Sequence, residues 1–178
     1  DDVRMRGFRQ RSDALAAQGM LLAPAKPLKA EQVSLWQAVG RVLAQDIVGD
    51  LDVPYFDRAA MDGYAVRGEE TFGASPYNPL TFRLVGESLP GKPFPRVLQS
   101  GEAVRIMTGA PLPAGADTVV RAELASEHGV TVSIYEAVPP GKCVSRRGED
   151  VRAGSVVLSA GRRLRPQDVG VLAALGRE

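Results

Sequence analysis

The sequence predicts an α+β fold that is predominantly β, with a few helices, and three observations predict it. Thirteen prolines and 19 glycines are spread along 178 residues, punctuation that suits short strands better than long helices. Between Tyr64 and Tyr135 several runs rich in β-branched residues recur at roughly ten-residue spacing, as in a sandwich or partly open barrel. Helix signals are confined to the two ends, where apolar residues follow a 3.6-residue period. At 44% hydrophobic residues the chain has ordinary globular composition, enough for one domain or two small ones.

From the N-terminus, Arg4, Arg6, Arg9 and Arg11 precede an apolar stretch from Ala14 to Leu22 that reads as a helix ending before Pro24 and Pro27. Ser34-Leu35-Trp36-Gln37 matches a capping box, and Leu35, Val39, Val42 and Leu43 form one stripe. A second helix is therefore expected from Ser34 to the region of Ala44 to Asp46, with Trp36 in the core. The strands are expected at Tyr64-Ala65-Val66, Leu80 to Val85, Ala103 to Met107, Asp117 to Ala122 and Val130 to Tyr135. Glu123 to Val130 reads as a hairpin with His128, the only histidine, at its tip. Pro166 suits the first position of a last helix, Asp168 complements its dipole, and Gly176 stops it.

Composition excludes several classes. Twenty-two Lys plus Arg against 21 Asp plus Glu leave a net charge of +1, so no global field draws nucleic acid or an acidic membrane. The longest apolar runs, such as Val169 to Leu175, fall far short of the ~20 residues of a membrane span. One cysteine, Cys143, permits no internal disulfide, which suits a cytoplasmic location. The chain starts at Asp1 without a leader pattern and stops just after the last expected helix, as at a domain border.

Three loops carry the candidate chemistry. Asp57-Arg58-Ala59-Ala60-Met61-Asp62-Gly63 sets two carboxylates around small residues before a strand; Asp-Gly is first a turn signal, and a carboxylate there also suits a metal. Met107-Thr108-Gly109-Ala110-Pro111 puts a hydroxyl and exposed amides at a strand end, where an anion can approach. Arg146-Arg147-Gly148-Glu149-Asp150 joins planar donors to acids, as either a phosphate-binding turn or a surface turn with internal ion pairs. No Walker loop, dinucleotide fingerprint, nucleophile elbow or His/Cys metal cluster occurs. Cys143 reads as a packed residue.

Read together, these loops resemble the N-terminal region of the MoeA/gephyrin family of molybdopterin molybdenumtransferases. The resemblance rests on Gly40-Arg-Val-Leu-Ala44, Pro54, Phe56 and Asp57 leading into Ala60-Met-Asp-Gly-Tyr-Ala-Val66, Val85-Gly-Glu87, Arg105-Ile-Met-Thr-Gly-Ala-Pro111 with Gly115-Ala-Asp117, and Arg147-Gly-Glu-Asp150. It implies two small subdomains, an outer one (1–50 and 140–178) with helices and an inserted β-rich one (51–139), preceding an α/β domain that lies outside this chain. It also implies insertion of molybdate into adenylylated molybdopterin with release of AMP, assisted by Mg²⁺, at a site shared between subunits of a homodimer. Carried over by position, Asp62, Thr108 and Asp150 are the catalytic residues, Arg147 and Gly109 bind substrate, and Asp62 and Asp150 hold Mg²⁺. This requires residues 62, 108 and 150 to share one rim. Ala59 stands where the family often has Ser. A chain without the α/β domain is expected to be inert by itself, and the alternative reading is a scaffold module built on the same framework.

Overall fold

A computed structural model describes residues 13–26 and 28–178. Its helices are α1 (Ala14–Leu22) and α2 (Pro166–Ala174), and its strands are β1 (Ile47–Val48), β2 (Arg58–Ala59), β3 (Gly63–Val66), β4 (Leu80–Ser88), β5 (Glu102–Ile106), β6 (Thr118–Arg121), β7 (Ala125–His128), β8 (Thr131–Ile134), β9 (Val144–Ser145) and β10 (Val156–Leu158). Residues 1–33 and 34–178 are two separate units. In the first, α1 starts at Asp13, whose Oδ1 accepts the amides of Leu15 at 2.9 Å and Ala16 at 3.2 Å. That is the N-cap a short helix needs for its unpaired donors. The basic residues expected before it, Arg4 to Arg11, lie outside the described residues.

The second unit is built on a six-stranded sheet of order β6-β3-β5-β4-β8-β7, antiparallel except for the parallel pair β4 and β5. Alternation sorts its side chains into two cores. Tyr64, Val66, Ala103, Val120, Val132 and Ile134 fill one face, and Ala65, Val104, Ile106 and Val119 fill the other with Ala59, Leu98 and Ala110. Every residue of β3 is buried, which is why Gly-Tyr-Ala-Val shows no polar alternation.

The sheet curls. Four strand steps separate β3 from β7, about 19 Å if flat, yet Tyr64 donates its hydroxyl to Glu127 Oε1 at 2.9 Å. Arg105, paired with Tyr64 across β3 and β5, also reaches Glu127, with Nε at 2.8 Å. Two side chains from neighbouring strands thus meet one from the far strand β7 and close the open side of a half-barrel. Burial, then the Glu127 carboxylate, raises the Tyr64 hydroxyl above the ordinary phenol range.

The segment before the sheet runs antiparallel to the segment after it. Val42 bridges Arg163, Ile47 and Val48 pair with Leu158 and Val156, Val53 bridges Val151, and Arg58 and Ala59 pair with Ser145 and Val144. This broken ribbon corrects the second expected helix, which is only a 3-10 turn over Leu35–Gln37. Ser34 makes no side-chain cap bond, and Gly40 at φ +82° leaves the helical region. The following backbone pairs elsewhere: Gly40 donates to Leu164 O and Leu43 to Arg162 O, while Leu164 donates to Arg41 O. Strand pairing overrides a helical pattern. Trp36 is accordingly 82% exposed rather than core, while Leu35 is buried.

The last helix and the hairpin match expectation. Asp168 sits three residues past Arg165, accepts its amide at 2.9 Å, and binds Arg162 Nη2 at 2.8 Å. These bonds, the Arg162 guanidinium foremost, hold its carboxyl down at about 2. Gly176 follows at φ +70°, and His128 is exposed beside the turn at Gly129.

Glu102 is a second buried carboxylate, 3% exposed. It accepts from Arg96 Nη1 at 2.7 Å, from Arg83 and from the Gln99 amide at 3.1 Å, and these, Arg96 first, hold it at about 2. A depressed carboxylate stabilises the fold above its unfolded pKa and loses that contribution as pH falls through the folded one. Urea midpoints should therefore hold steady above about pH 4.5 and fall towards pH 2. Glu102→Gln should lower the neutral-pH midpoint and flatten the profile within that window.

Candidate functional site

Strand β2 is the spline of the site. Arg58 pairs with Ser145 on one flank and bridges Pro111 on the other. Ala59 donates to Ala110 O at 3.0 Å and accepts from the Gly109 amide at 2.8 Å, and Ala60 donates to Cys143 O at 2.9 Å. Segment 109–111, next to Thr108, and segment 144–145, which leads into the Asp150 loop, thus flank one short strand, about 10 Å apart by strand spacing, while Asp150 itself donates its amide to Val53 O at 2.9 Å. The second core lies beneath: Ala59 and Ala110 belong to it, with Cys143 and Val144 packed against it. Ala59 is 1% exposed, so its Cβ serves that packing.

Asp62 and Thr108, 46 positions apart, are in direct contact. Asp62 Oδ1 accepts the Thr108 amide at 2.7 Å and its hydroxyl at 2.6 Å. The hydroxyl bond, then the amide bond, lowers the Asp62 pKa, so the group is an anion and an acceptor only. With its hydrogen directed at Asp62, the Thr108 oxygen presents lone pairs outward. Donation to a substrate oxygen requires that hydroxyl to turn away from Asp62. Asp62 is held from behind as well, its carbonyl accepting from Ala122 at 3.1 Å.

The 146–150 loop is tied down by acids that the sequence reading did not assign to it. Asp57 accepts the Arg147 amide at 2.8 Å and Arg146 Nη1 at 2.8 Å. Asp52 accepts Arg147 Nε at 2.6 Å and the Ala153 amide at 2.9 Å. Both carboxyls lie below their ordinary pKa, through the Arg147 amide for Asp57 and the Ala153 amide for Asp52 before any arginine charge. Glu149 turns onto Ser145 Oγ and the Arg146 amide. Asp150 points outward, its side chain 58% exposed and 3.7 Å from Arg58 Nη2. The internal ion pairs of this loop therefore engage Arg146 and Arg147, while Asp150 keeps only the 3.7 Å approach to Arg58. Arg147 is clamped and Asp150 is available. Gly109, expected at the substrate, has its amide engaged by Ala59.

A family model described as the MoeA N-terminal region, domains I and II, matches residues 11–176. The chain belongs to the MoeA family. Molybdopterin molybdenumtransferase 2 of Mycobacterium tuberculosis is 47% identical over 145 residues, 81% of this chain and 36% of that protein. A molybdopterin molybdenumtransferase of Synechococcus elongatus is 37% identical over 151 residues, 84% and 38%. The crystal structure of the molybdopterin biosynthesis MoeA protein of Pyrococcus horikoshii OT3 superposes with a TM-score of 0.80 at 45% identity, covering 83% of this chain and 39% of that one. The chain thus spans a little over a third of the relatives it matches.

Within this MoeA region, the donor set decides what metal fits. Among the described residues no group of three His, Cys, Asp or Glu side chains is arranged to hold an ion, so a protein-only cage is not available here. Mg²⁺ commonly takes one or two carboxylates and completes its shell with water and substrate phosphate. Asp62, whose second oxygen accepts no bond among the described residues, and the exposed Asp150 suit that shared mode. No helix among the described residues is long and apolar enough to cross a membrane.

Proposed function

We propose that this chain supplies one face of a molybdopterin molybdenumtransferase site, where molybdate is inserted into adenylylated molybdopterin and AMP is released. The observation that supports it most directly is the Asp62–Thr108 contact on a spline shared with the Asp150 loop. Asp62 fixes Thr108 and faces the cation side. Asp150 contributes a second, outward carboxylate, and Arg147, held by Asp52, stiffens the loop that carries it. Mg²⁺ bound through Asp62 or Asp150 together with a substrate phosphate would neutralise charge during phosphate cleavage. The remainder of the site belongs to an α/β domain and to a second subunit of a cytoplasmic homodimer. The 178-residue chain alone is inert in this reading. We further divide it into an outer part (1–50 and 140–178) and an inserted β-rich part (51–139).

The test is AMP release by the full-length protein with adenylylated molybdopterin and molybdate. Asp150→Asn should lower turnover by about 10²-fold while leaving thermal unfolding in place, because its carboxylate is exposed. Unchanged turnover removes Asp150 from the mechanism. The scaffold reading draws on exposed apolar side chains, Trp36, Val42 and Tyr55 among them, and expects turnover to survive every loop substitution.

A further inference from the structure

Three arginines approach the spline, and they are not equivalent. Arg146 and Arg147 each rest on a carboxylate, Asp57 at 2.8 Å and Asp52 at 2.6 Å. Each gives one donor of its fork to that acid, Arg146 its Nη1 and Arg147 its Nε, so its charge is already matched before a ligand arrives. Arg58 is held differently. Its Nε donates to the Ser145 hydroxyl at 3.3 Å, and its Nη2 stands 3.7 Å from Asp150 Oδ2, beyond hydrogen-bond reach. No hydrogen bond among the described residues takes up its Nη hydrogens, so four of the five donors of its planar fork are unengaged.

The stem of Arg58 is fixed all the same. It lies in register between Pro111 and Ser145, with Ala59 bonded to Ala110 and Gly109. Ser145, the hydroxyl that steers its Nε, is itself oriented by donating to Glu149. The side chain is 39% exposed, and it is set on the strand between segment 109–111 and the segment that leads into the Asp150 loop. An anchored backbone with an open guanidinium is the arrangement that binds an oxyanion through two parallel N–H bonds at little cost in reorganisation.

We infer that Arg58, rather than Arg147, is the residue that grips a tetrahedral oxyanion of the substrate, either a phosphoryl group or molybdate itself. The identity of the anion rests on the transferase reading; the grip does not. Asp150, 3.7 Å away, keeps the pocket from being uniformly positive and gives a cation a place beside the bound anion.

The experiment uses full-length protein and two probes, sodium molybdate and inorganic pyrophosphate, each titrated calorimetrically into wild type, Arg58→Gln, Arg58→Lys and Arg147→Gln. Arg58→Gln should weaken at least one anion by about tenfold or more. Arg58→Lys should fall between, because it keeps the charge and loses the fork, and Arg147→Gln should change affinity less than about threefold. An effect on molybdate alone assigns the oxometalate, and an effect on pyrophosphate alone assigns the phosphoryl group. The inference is overturned if wild type binds neither anion saturably, if Arg58→Gln binds both as wild type does, or if Arg147→Gln loses more than Arg58→Gln. Should Arg58→Gln lower the melting temperature, Arg58→Lys at an unchanged melting temperature decides. Weakened anion binding in Arg58→Gln, in a protein whose wild type releases no AMP from adenylylated molybdopterin, would sink the transferase reading and spare Arg58. Lost turnover in Asp62→Ala with normal binding in Arg58→Gln would do the reverse.

Discussion

Replacing Gly63 by alanine is expected to prevent normal folding, with a loss above about 4 kcal/mol, the range reserved for changes the backbone cannot absorb. A Cβ built on Gly63 would lie 1.9 Å from Val120 O and 2.9 Å from Val120 C, and these are backbone atoms of the neighbouring strand, not the end of a flexible side chain. Gly63 and Tyr64 pair with Arg121 and Val120 in one direction and with Ile106 and Arg105 in the other. Relief by moving β3 would open the centre of the sheet and expose the fully buried Val66, Val104, Val119 and Val120. It would also displace Asp62, the residue before the clash, whose carbonyl is bonded to Ala122 across the same junction. Urea unfolding of Gly63→Ala against Gly73→Ala makes the comparison internal, since a Cβ at Gly73 meets nothing within 4 Å. Gly73 also has a positive φ, of 90°, so the control carries backbone strain without the collision. Comparable midpoints for the two variants would contradict the steric argument. The glycine in the Asp-Gly pair is thus required by close approach, where the sequence showed only a turn.

The strands were legible because they obey local rules: β-branched alternation between glycine- and proline-marked turns locates β4, β5, β6 and β8 to within a few residues. Their order was not. The parallel pairing of β4 with β5 and the reach of Tyr64 and Arg105 to Glu127 depend on curling, which no local pattern encodes. The helix expected after Ser34 shows the limit from the other side. Its stripe exists in spacing only: Gly40 and the pairing of 40–43 with 161–164 satisfy the backbone in another way, Leu35 alone is buried, and Val39, Val42 and Trp36 are left exposed. In the candidate site, Thr108 and Asp62 were assigned through resemblance to a family, and the structure adds that they touch. The clamps of Asp57 on Arg146 and Arg147 and of Asp52 on Arg147 span about 90 positions. Acids in one loop, Asp52 and Asp57, and arginines in a remote one, Arg146 and Arg147, give no register by which to pair them, so Arg147 looked available and Arg58 did not.

Asp62→Ala should cut turnover of the full-length protein by about 10²- to 10³-fold, the cost of losing one preorganised group in a site that stabilises charge. Two donors lose their acceptor at once, the Thr108 amide at 2.7 Å and its hydroxyl at 2.6 Å. The amide then turns to solvent and the hydroxyl rotates freely, so Thr108 is no longer held in one orientation. Both residues lie at the surface of the loop, and the second core beneath is untouched, so the melting temperature should move by only a few degrees. Asp62→Asn separates position from charge. It keeps an acceptor for one Thr108 donor but removes the negative charge that an ion or a polarised hydroxyl would sense. If Asp62 only positions Thr108, Asp62→Asn should recover much of the lost rate and Thr108→Ala should match Asp62→Ala. If its charge also holds Mg²⁺, Asp62→Asn should stay as slow as alanine and raise the Mg²⁺ concentration needed for half-maximal rate, which Thr108→Ala should not. Because the bonds to Thr108 depress the Asp62 pKa, the wild-type rate should not fall through protonation of this carboxylate until the pH drops below the ordinary carboxylate range. A rate that fell with a midpoint near or above that range would show that Asp62 is not held as an anion by Thr108 during turnover.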